Sequence, residues 1–488
     1  MSDKEAPTDI STEDWAATPV VVRVLVLSLV ATVEQLSQQV AAQQERLNKN
    51  SRNSSKPPSS DPPNTPPRRK RAPSGRKAGG QKGHAGHGRS LKPPEQVNRI
   101  VDLKPVYCSE CGSLLLGEDP TPVRHQVSEL PRVKPVVTEY RRHTLECLAC
   151  GAKTRGDWPI EMPRGSFGPR VQATVGYLTG RFGVSQRDVE EMMDAVFHAD
   201  IALGSVSALE QRVSAALEEP VEEAQEYVRE QAVVNADETG WRQSGQRHWL
   251  WLGTTPLVTV FLLAVTRGTT AAKQLLGEAF EGILGSDRWG AYNWVERERR
   301  QVCWAHLKRD FQAFVDRGGE SARVGQALLE QVQEMFHLWH RVRDDPLGRA
   351  DFELGMKPIR ERVGELLREG AEVPHKKTCR TCKNILKLEV ALWRFVTVEG
   401  VDPTNNCAER PLRRAVLWRR RSFGTQSEAG SRFVERVLTA VATLRQQKRD
   451  VLDYLTEACS AVICGGKVPS LLPNTSVASP LPELPSTN

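Results

Sequence analysis

A chain of 488 residues, 39% hydrophobic and 26% charged, suits a soluble protein of two to four domains with some disordered parts. Ten cysteines without a secretory signal argue against a secreted disulfide framework and point to a reducing cytoplasm, where CxxC pairs serve metal or redox chemistry. The net charge of +7 is concentrated: nine Lys or Arg and no acid lie between Pro62 and Pro94, as in an arm that binds polyanions.

In chain order, residues 1–49 come first. The apolar run Val20–Val30 follows Glu13 and Asp14, contains Arg23, and reads as too short to span a bilayer, so no membrane partner is expected. Val22, Val26, Leu29, Val33, Leu36, Val40 and Leu47 recur at four and three spacing, with Gln43 the only break. This predicts an amphipathic helix with a coiled-coil seam, hence a homo-oligomer. Residues 50–97 are rich in Pro, Ser, Gly and base and predict a disordered linker whose Arg68, Arg69, Lys70, Arg71, Arg76, Lys77 and Lys82 would grip DNA phosphates. His84 and His87 within it lack metal-binding partners.

Residues 98–160 carry CSECG (Cys108, Cys111) and CLACG (Cys147, Cys150). Four thiolates in two CxxCG knuckles suit tetrahedral Zn²⁺, with the glycines letting the backbone turn beneath the sulfurs. Four protein ligands leave no open position, so the ion would be structural. A third pair, Cys379 and Cys382, has no matching pair. Residues 161–229 read as helical. Two of the helices, with Ser185 and Ser205 where N-caps belong, flank the tight connection HADIALG in a shape compatible with a helix-turn-helix.

From residue 230 the pattern changes to strands. VVNADETG, RHWLWLGTT and LVTVFLLAVT predict three successive strands, the last nearly continuous in apolar residues and so expected to be central. The first ends in the adjacent acids Asp237 and Glu238. GILGSDRWGAY places Asp287 after another apolar run, and TNNCAERPLRR places Glu409 at the start of a helix. Two strand-end aspartates and a helical glutamate can hold two divalent cations, and hard oxygen donors suit Mg²⁺ or Mn²⁺. In such a pair one ion activates the attacking hydroxyl and the other stabilises the leaving oxygen. Consecutive strand residues face opposite ways, so Asp237 and Glu238 cannot both serve.

Basic residues surround these acids. Arg410, Arg413, Arg414, Arg419, Arg420 and Arg421 follow Glu409, more than one glutamate needs for pairing, and predict a phosphate-tracking face. His306 and Lys308 in CWAHLKRDF could contact the scissile phosphate or orient water, although His306 also reads as a packed, satisfied core histidine. Trp289 and Tyr292 could stack on a flipped base, although core packing accounts for such aromatics as well.

The ordered set NSSKPPSSD, GGQKGH, the two knuckles, DETGWR, SDRWGAY, CWAHLKRDF and TNNCAERPLRR resembles the bacterial insertion-sequence DDE transposases of the IS-sixty-six (TnpC) group. The resemblance runs from near residue 50 to about residue 460. It implies a multidomain α/β protein: an RNase H-like catalytic domain (230–316 and 400–458) with a helical insertion (317–399), preceded by the coiled-coil helix, a zinc ribbon-like module and the helical domain, and followed by a tail (459–488). It also selects Asp237 over Glu238, with Asp287 and Glu409, as the catalytic triad. The implied activity is cleavage and transfer of DNA strands at element ends, with element ends and target DNA as partners, accessory proteins left open, and a cytoplasmic, nucleoid-associated setting. The rival readings are a non-catalytic DNA-binding regulator and a plain metal-dependent nuclease. Two departures from the family pattern are Asp310, where a base is expected, and the stretch AVLWRRRSFGTQSEAGSRF after Glu409.

Overall fold

The computed structural model describes residues 11–50, 90–163, 165–344 and 348–473. The basic arm, from Arg68, Arg69, Lys70 and Arg71 through Arg76, Lys77 and Lys82, lies outside the described residues, as do His84 and His87. The chain divides into two units, one of Pro66–Val137 with Ala195–Ala199 and one comprising the remainder.

A short helix α1 (Thr12–Ala17), capped by the Ser11 hydroxyl on the Asp14 amide, precedes the 29-residue α2 (Val20–Asn48). The seam residues Val22, Leu29, Val33, Leu36, Val40 and Leu47 are all exposed. The stretch Val20–Ala41, 22 residues with mean hydropathy 1.8, is long and apolar enough by length and composition to cross a membrane. The run Val20–Val30 is the first part of this stretch, and apolar positions continue along the same helix to Val40.

In the smaller unit the first knuckle sits at the tip of a narrow hairpin, with Tyr107 opposite Leu114. Lys92 and Gln126 exchange two hydrogen bonds of 2.8 Å, the Lys92 amide donating to Oε1 and Nε2 donating to the Lys92 carbonyl. The side-chain amide thus serves where a strand neighbour would. In the larger unit the second knuckle lies between β1 (Thr144–Glu146) and β2 (Lys153–Arg155), an antiparallel pair with Thr144 opposite Arg155.

Four helices follow: α3 (Pro169–Phe182), α4 (Gln186–Phe197), α5 (Leu203–Ala216) and α6 (Glu218–Arg229). Ser185 caps α4 as expected, accepting from the Asp188 amide at 3.1 Å. Ser205 does not cap α5. The Ala202 carbonyl already accepts from Ser205 and Val206, so the helix starts two residues earlier and Ser205 lies within it. The inner face of α5 (Val206, Leu209, Val213) is fully packed.

The main sheet comprises β3 (Val233–Gln243), β4 (Gln246–Thr254), β5 (Thr259–Ala264), β6 (Ile283–Ser286) and β7 (Arg300–Val302), with α7 (Thr269–Leu276) between β5 and β6. Strand order is β5-β4-β3-β6-β7, antiparallel across the first three and parallel across β3-β6-β7. The three predicted strands are present, but β5 is an edge strand, not a central one. Its apolar continuity comes from a helix that covers the edge, α14 (Glu428–Gln446). Thr443, Thr439 and Glu435 accept from the amides of Thr259, Phe261 and Leu263. Every second amide of β5, the set that a sixth strand would have taken, is therefore paired by a side chain, each bond contributing ~1 kcal/mol.

Beyond β7 come α8 (Trp304–Val315), α9 (Gly319–Asp344), α10 (Arg349–Gly370), α11 (Lys376–Leu386) and α12 (Arg394–Thr397). They share an aromatic core of Trp304, Phe311, Phe314, Phe352 and Phe395. This core already includes α8, because Trp304 packs on Trp393 with ring centroids 4.9 Å apart and donates to the Leu392 carbonyl. The third CxxC lies on α11, where Cys379 donates to the Ala371 carbonyl and burial pushes the Cys382 thiol up to about 12. Both behave as packed thiols.

The chain then returns to the sheet through α13 (Asn406–Ser422), α14 and α15 (Val451–Cys464). On one face of the sheet, Val234, Ala236, Trp251 and Leu284 pack with α3, α5, α6, α7, α14 and α15. On the other, Trp241, Leu250, Leu252 and Phe261 pack with Ala408, Leu412 and Ala415 of α13. The alternation along β3 therefore sends Glu238 toward the first core and Asp237 toward α13.

Candidate active site

β3 and β6 run parallel and pair only at their starts, through Val233↔Ile283, Val234↔Leu284 and Asn235↔Gly285. Two residues further along the chain from this last pair stand Asp237 and Asp287. The register thus sets these aspartates side by side where the ladder has opened, the place where a parallel sheet leaves its strand ends uncovered. Each commits one oxygen to main chain, and the other has no hydrogen-bond partner among the described residues. Asp237 Oδ1 accepts from the Glu238 amide at 2.9 Å, and Asp287 Oδ1 accepts from the Trp289 amide at 2.8 Å.

Glu409 reaches the same place from the first turn of α13, and the residue preceding that helix fixes its entry. Asn405 is buried, donates Nδ2 to the Ala236 carbonyl at 2.7 Å, and accepts from Asn235 Nδ2 at 2.9 Å. Its own amide donates to Cys303 Sγ at 3.1 Å. Gly285 is required beneath this pair, since a Cβ there would meet Asn235 Nδ2 at 2.2 Å.

The carboxylates feel one another. Burial first, and then the charges of Glu238, Asp287 and Glu409, hold Asp237 well above the usual carboxylate range. A carboxyl group raised in this way stabilises the fold below its unfolded value of 3.8, and that contribution is lost as pH rises through the folded pKa. We therefore expect Asp237→Asn to unfold at a higher temperature than wild type near neutral pH, with the advantage vanishing below about pH 4. Thermal melts across pH check this. An advantage independent of pH would show that its cause is not charge.

Glu238 is accounted for on the other face. It accepts from Arg267 Nη2 at 2.7 Å and from the Tyr292 hydroxyl at 2.7 Å. Tyr292 is fully buried against Trp251. Trp289 remains partly exposed, donates Nε1 to the Arg267 carbonyl and carries the Arg267 guanidinium 4.0 Å above its ring. Arg300 is buried and donates to the Asp287 carbonyl and to Asn293 Oδ1.

His306 of α8 is brought to the acids. Its Nδ1 lies 4.0 Å from Glu409 Oε1, is buried without a hydrogen-bond partner among the described residues, and belongs to a ring whose pKa burial lowers. Cys303, His306 and Glu409 place potential ligand atoms within 4.8 Å of one another. Lys308 is exposed. Asp310, the departure from the expected base, forms a 2.5 Å ion pair with Arg288 beside Asp287.

The arginines of α13 divide. Arg410, Arg413, Arg414, Arg420 and Arg421 are exposed, whereas Arg419 turns inward onto the Thr239 hydroxyl and the Gly240 carbonyl. Asn235, Asn405, Arg267 and Arg300 join the site without having been expected there from sequence. The first two carried a signal: a polar residue inside an apolar strand, and an asparagine directly before a helix.

The two knuckles have matching backbones. Gly112 and Gly151 adopt left-handed φ of 72° and 71°, and their amides return to the carbonyls of Cys108 and Cys147. The Cys108 and Cys147 amides donate in turn to the carbonyls of Ser113 and Ala152. Ser113 draws the Cys111 thiol down to about 7, and backbone amides lower Cys147, which favours the thiolate forms that metals take.

These features define a mixed α/β protein with carboxylates gathered at the open end of its sheet and arginines on the neighbouring helix. The sequence profile of the Transposase IS66 family matches residues 164–432, more than half of the chain, and the protein belongs to that family. A family of unknown function, DUF6444, matches residues 7–90. The uncharacterized protein y4hP of Sinorhizobium fredii is 24% identical over 413 residues, 76% of this chain and 73% of that protein. The uncharacterized protein y4qI of the same organism is 28% identical over 285 residues, about half (51%) of each chain.

Proposed function

We propose that this transposase-family protein cuts DNA at the ends of an insertion element and joins the freed ends to target DNA, using Asp237, Asp287 and Glu409 on an RNase H-like sheet. The observation that carries the reading is the register: Asn235↔Gly285 continued by two residues aligns Asp237 with Asp287, and Asn405 delivers Glu409 to them. The strand order and mixed directions support the RNase H-like assignment.

The donor set fits two Mg²⁺ or Mn²⁺ ions. It offers hard carboxylate oxygens, one uncommitted on each aspartate, and a mutual repulsion that a cation would relieve. Such ions supply activation of the attacking oxygen and charge stabilisation at the leaving oxygen. The protein's own groups hold the geometry. Asn405 and Asn235 lock α13 to β3, Arg267 and Tyr292 draw Glu238 away from the acids, and His306 lies against Glu409. In the first reaction a water oxygen bonds to phosphorus and the 3′-oxygen leaves as a hydroxyl. In the second, the oxygen of that hydroxyl bonds to a target phosphorus, the target's own P–O3′ bond breaks, and the proton given up by the attacker is balanced by the one taken up on the target 3′-hydroxyl that leaves. A strand-transfer assay with labelled element ends tests both.

The exposed arginines of α13 and the basic arm serve phosphate contacts, α2 pairs with a second copy along its exposed seam, and the CxxCG knuckles take structural Zn²⁺. For the last, elemental analysis of full-length reduced protein is expected to find zinc, diminished in Cys108→Ser and Cys147→Ser alike. Undiminished zinc in either variant would show that its knuckle holds none.

A further inference from the structure

A cleft of about 770 Å³ lies between the C-terminal end of α3, the start of β3, and helices α13 and α14. Its floor is apolar, with Phe261, Leu438 and Val441. Four guanidinium groups line it, from Arg181, Arg410, Arg414 and Arg445, against a single carboxylate, Asp402. A second hollow, lined by Arg181, Arg414, Trp418 and Arg421, adjoins it.

These charges come from three helices that need not have converged. Arg414 and Arg445 both stand close enough to Arg181 to repel it. None of the four makes an ion pair within 4.0 Å among the described residues; Asp402 acts on Arg410 only at longer range. Arg181 Nε is buried with no hydrogen-bond partner there. Gathering like charges and leaving a buried donor unpaired costs stability, a cost that a bound anion reverses.

We infer that this cleft is a nucleotide-binding site, which holds the phosphates of a DNA strand on Arg181, Arg410, Arg414 and Arg445 and rests a base on the apolar floor. The inference deepens the transposase reading and rests on it. Nucleotide phosphates could come from a DNA strand or from a free nucleotide, and the site's position favours the strand. Asn235 lines the cleft two residues before Asp237 on the same face of β3, a rise of about 7 Å. Arg410 directly follows Glu409. A strand lying in the cleft would lead into the acids.

The test compares full-length wild type with Arg181→Gln/Arg445→Gln, two positions on different helices and outside the acid cluster. The probes are a fluorescent single-stranded oligonucleotide and MgATP. The double variant should bind the oligonucleotide about tenfold more weakly or worse, since hydrogen bonds from a charged donor are among the stronger ones and two donors are removed. Its log affinity against log salt should flatten by about 1.4, roughly 0.7 for each phosphate no longer neutralised on a single strand. Its melting temperature should be equal or higher, because repulsion is removed; a purely structural role for these arginines would lower it. MgATP should displace the oligonucleotide only weakly.

Unchanged affinity and slope in the variant overturn the inference. So does loss of MgATP binding with oligonucleotide binding intact, which would assign the cleft to a free nucleotide. Metal-dependent end cleavage by wild type is scored separately. Cleavage together with an unaffected variant removes the cleft and leaves the transposase reading standing, whereas absence of cleavage removes the reading itself.

Discussion

Asp237→Asn, Asp287→Asn and Glu409→Gln should each reduce strand cleavage by a factor on the order of 10³ or more, the loss of several kcal/mol of charge stabilisation at the reacting phosphate. Each substitution keeps the shape of its side chain and removes the charge that would hold a cation. Binding to end DNA should change little, because the arginines of α13 and the basic arm are untouched. Binding should even strengthen slightly at low salt, since one negative charge facing the phosphates is gone. Gel shift and cleavage assays on the same preparations separate the two effects. Near-normal cleavage by any one variant would show that its residue has been assigned wrongly. Glu238→Gln is the informative contrast. Its carboxylate is held by Arg267 and Tyr292 on the opposite face of β3, so the substitution should disturb stability before chemistry.

Asn405→Ala should lower cleavage about 10–100-fold, the range seen when groups that orient metal ligands are removed. The side chain does not reach the reacting atoms. It donates to the carbonyl of Ala236, the residue directly before Asp237, and accepts from Asn235, and it stands four residues of chain before Glu409. Without it, a buried carbonyl and a buried amide are left without partners, costing ~1–3 kcal/mol of stability. The entry angle of α13 is then set by packing alone. Asn405→Asp should fall between, keeping the acceptor for Asn235 while losing the donor to Ala236 and adding a negative charge beside the acids. Cleavage rate measured against melting temperature distinguishes positioning from bulk destabilisation. A rate that falls only as far as the fraction unfolded would reduce Asn405 to a scaffold residue.

The two aspartates stand out in the sequence because an apolar run stops at each, Glu409 stands out as an acid opening a basic helix, and the resemblance chooses Asp237 over Glu238. The structure supplies a physical reason for that choice: alternation along β3 turns Glu238 toward Arg267. The place of β5 is not legible, because a continuous apolar run is the same whether strands or helices cover it. Only Thr439, Thr443 and Glu435, far along the chain, reveal that an edge is being paired. The start of α5 misleads for a local reason, since a serine near a helix start is usually a cap and here lies inside the first turn. The apolar reach of α2 is hidden by the polar residues that interrupt it after Val30. Arg181 and Arg445 carry no motif at all. They belong to helices that meet α13 only through the fold, and nothing near them in sequence marks a cleft.

The measurement that bears most directly on the central claim is a strand-transfer assay with labelled element ends, a plasmid target and Mg²⁺, run with wild type and Asp237→Asn in parallel. Wild type should yield both free 3′-ends and joined products, each dependent on the divalent cation, and Asp237→Asn should yield neither. Cleavage without joining would make the protein a nuclease. Ends bound but never cut by wild type, or products that persist in Asp237→Asn, would contradict the assignment of the chemistry to the carboxylates at the sheet's open end.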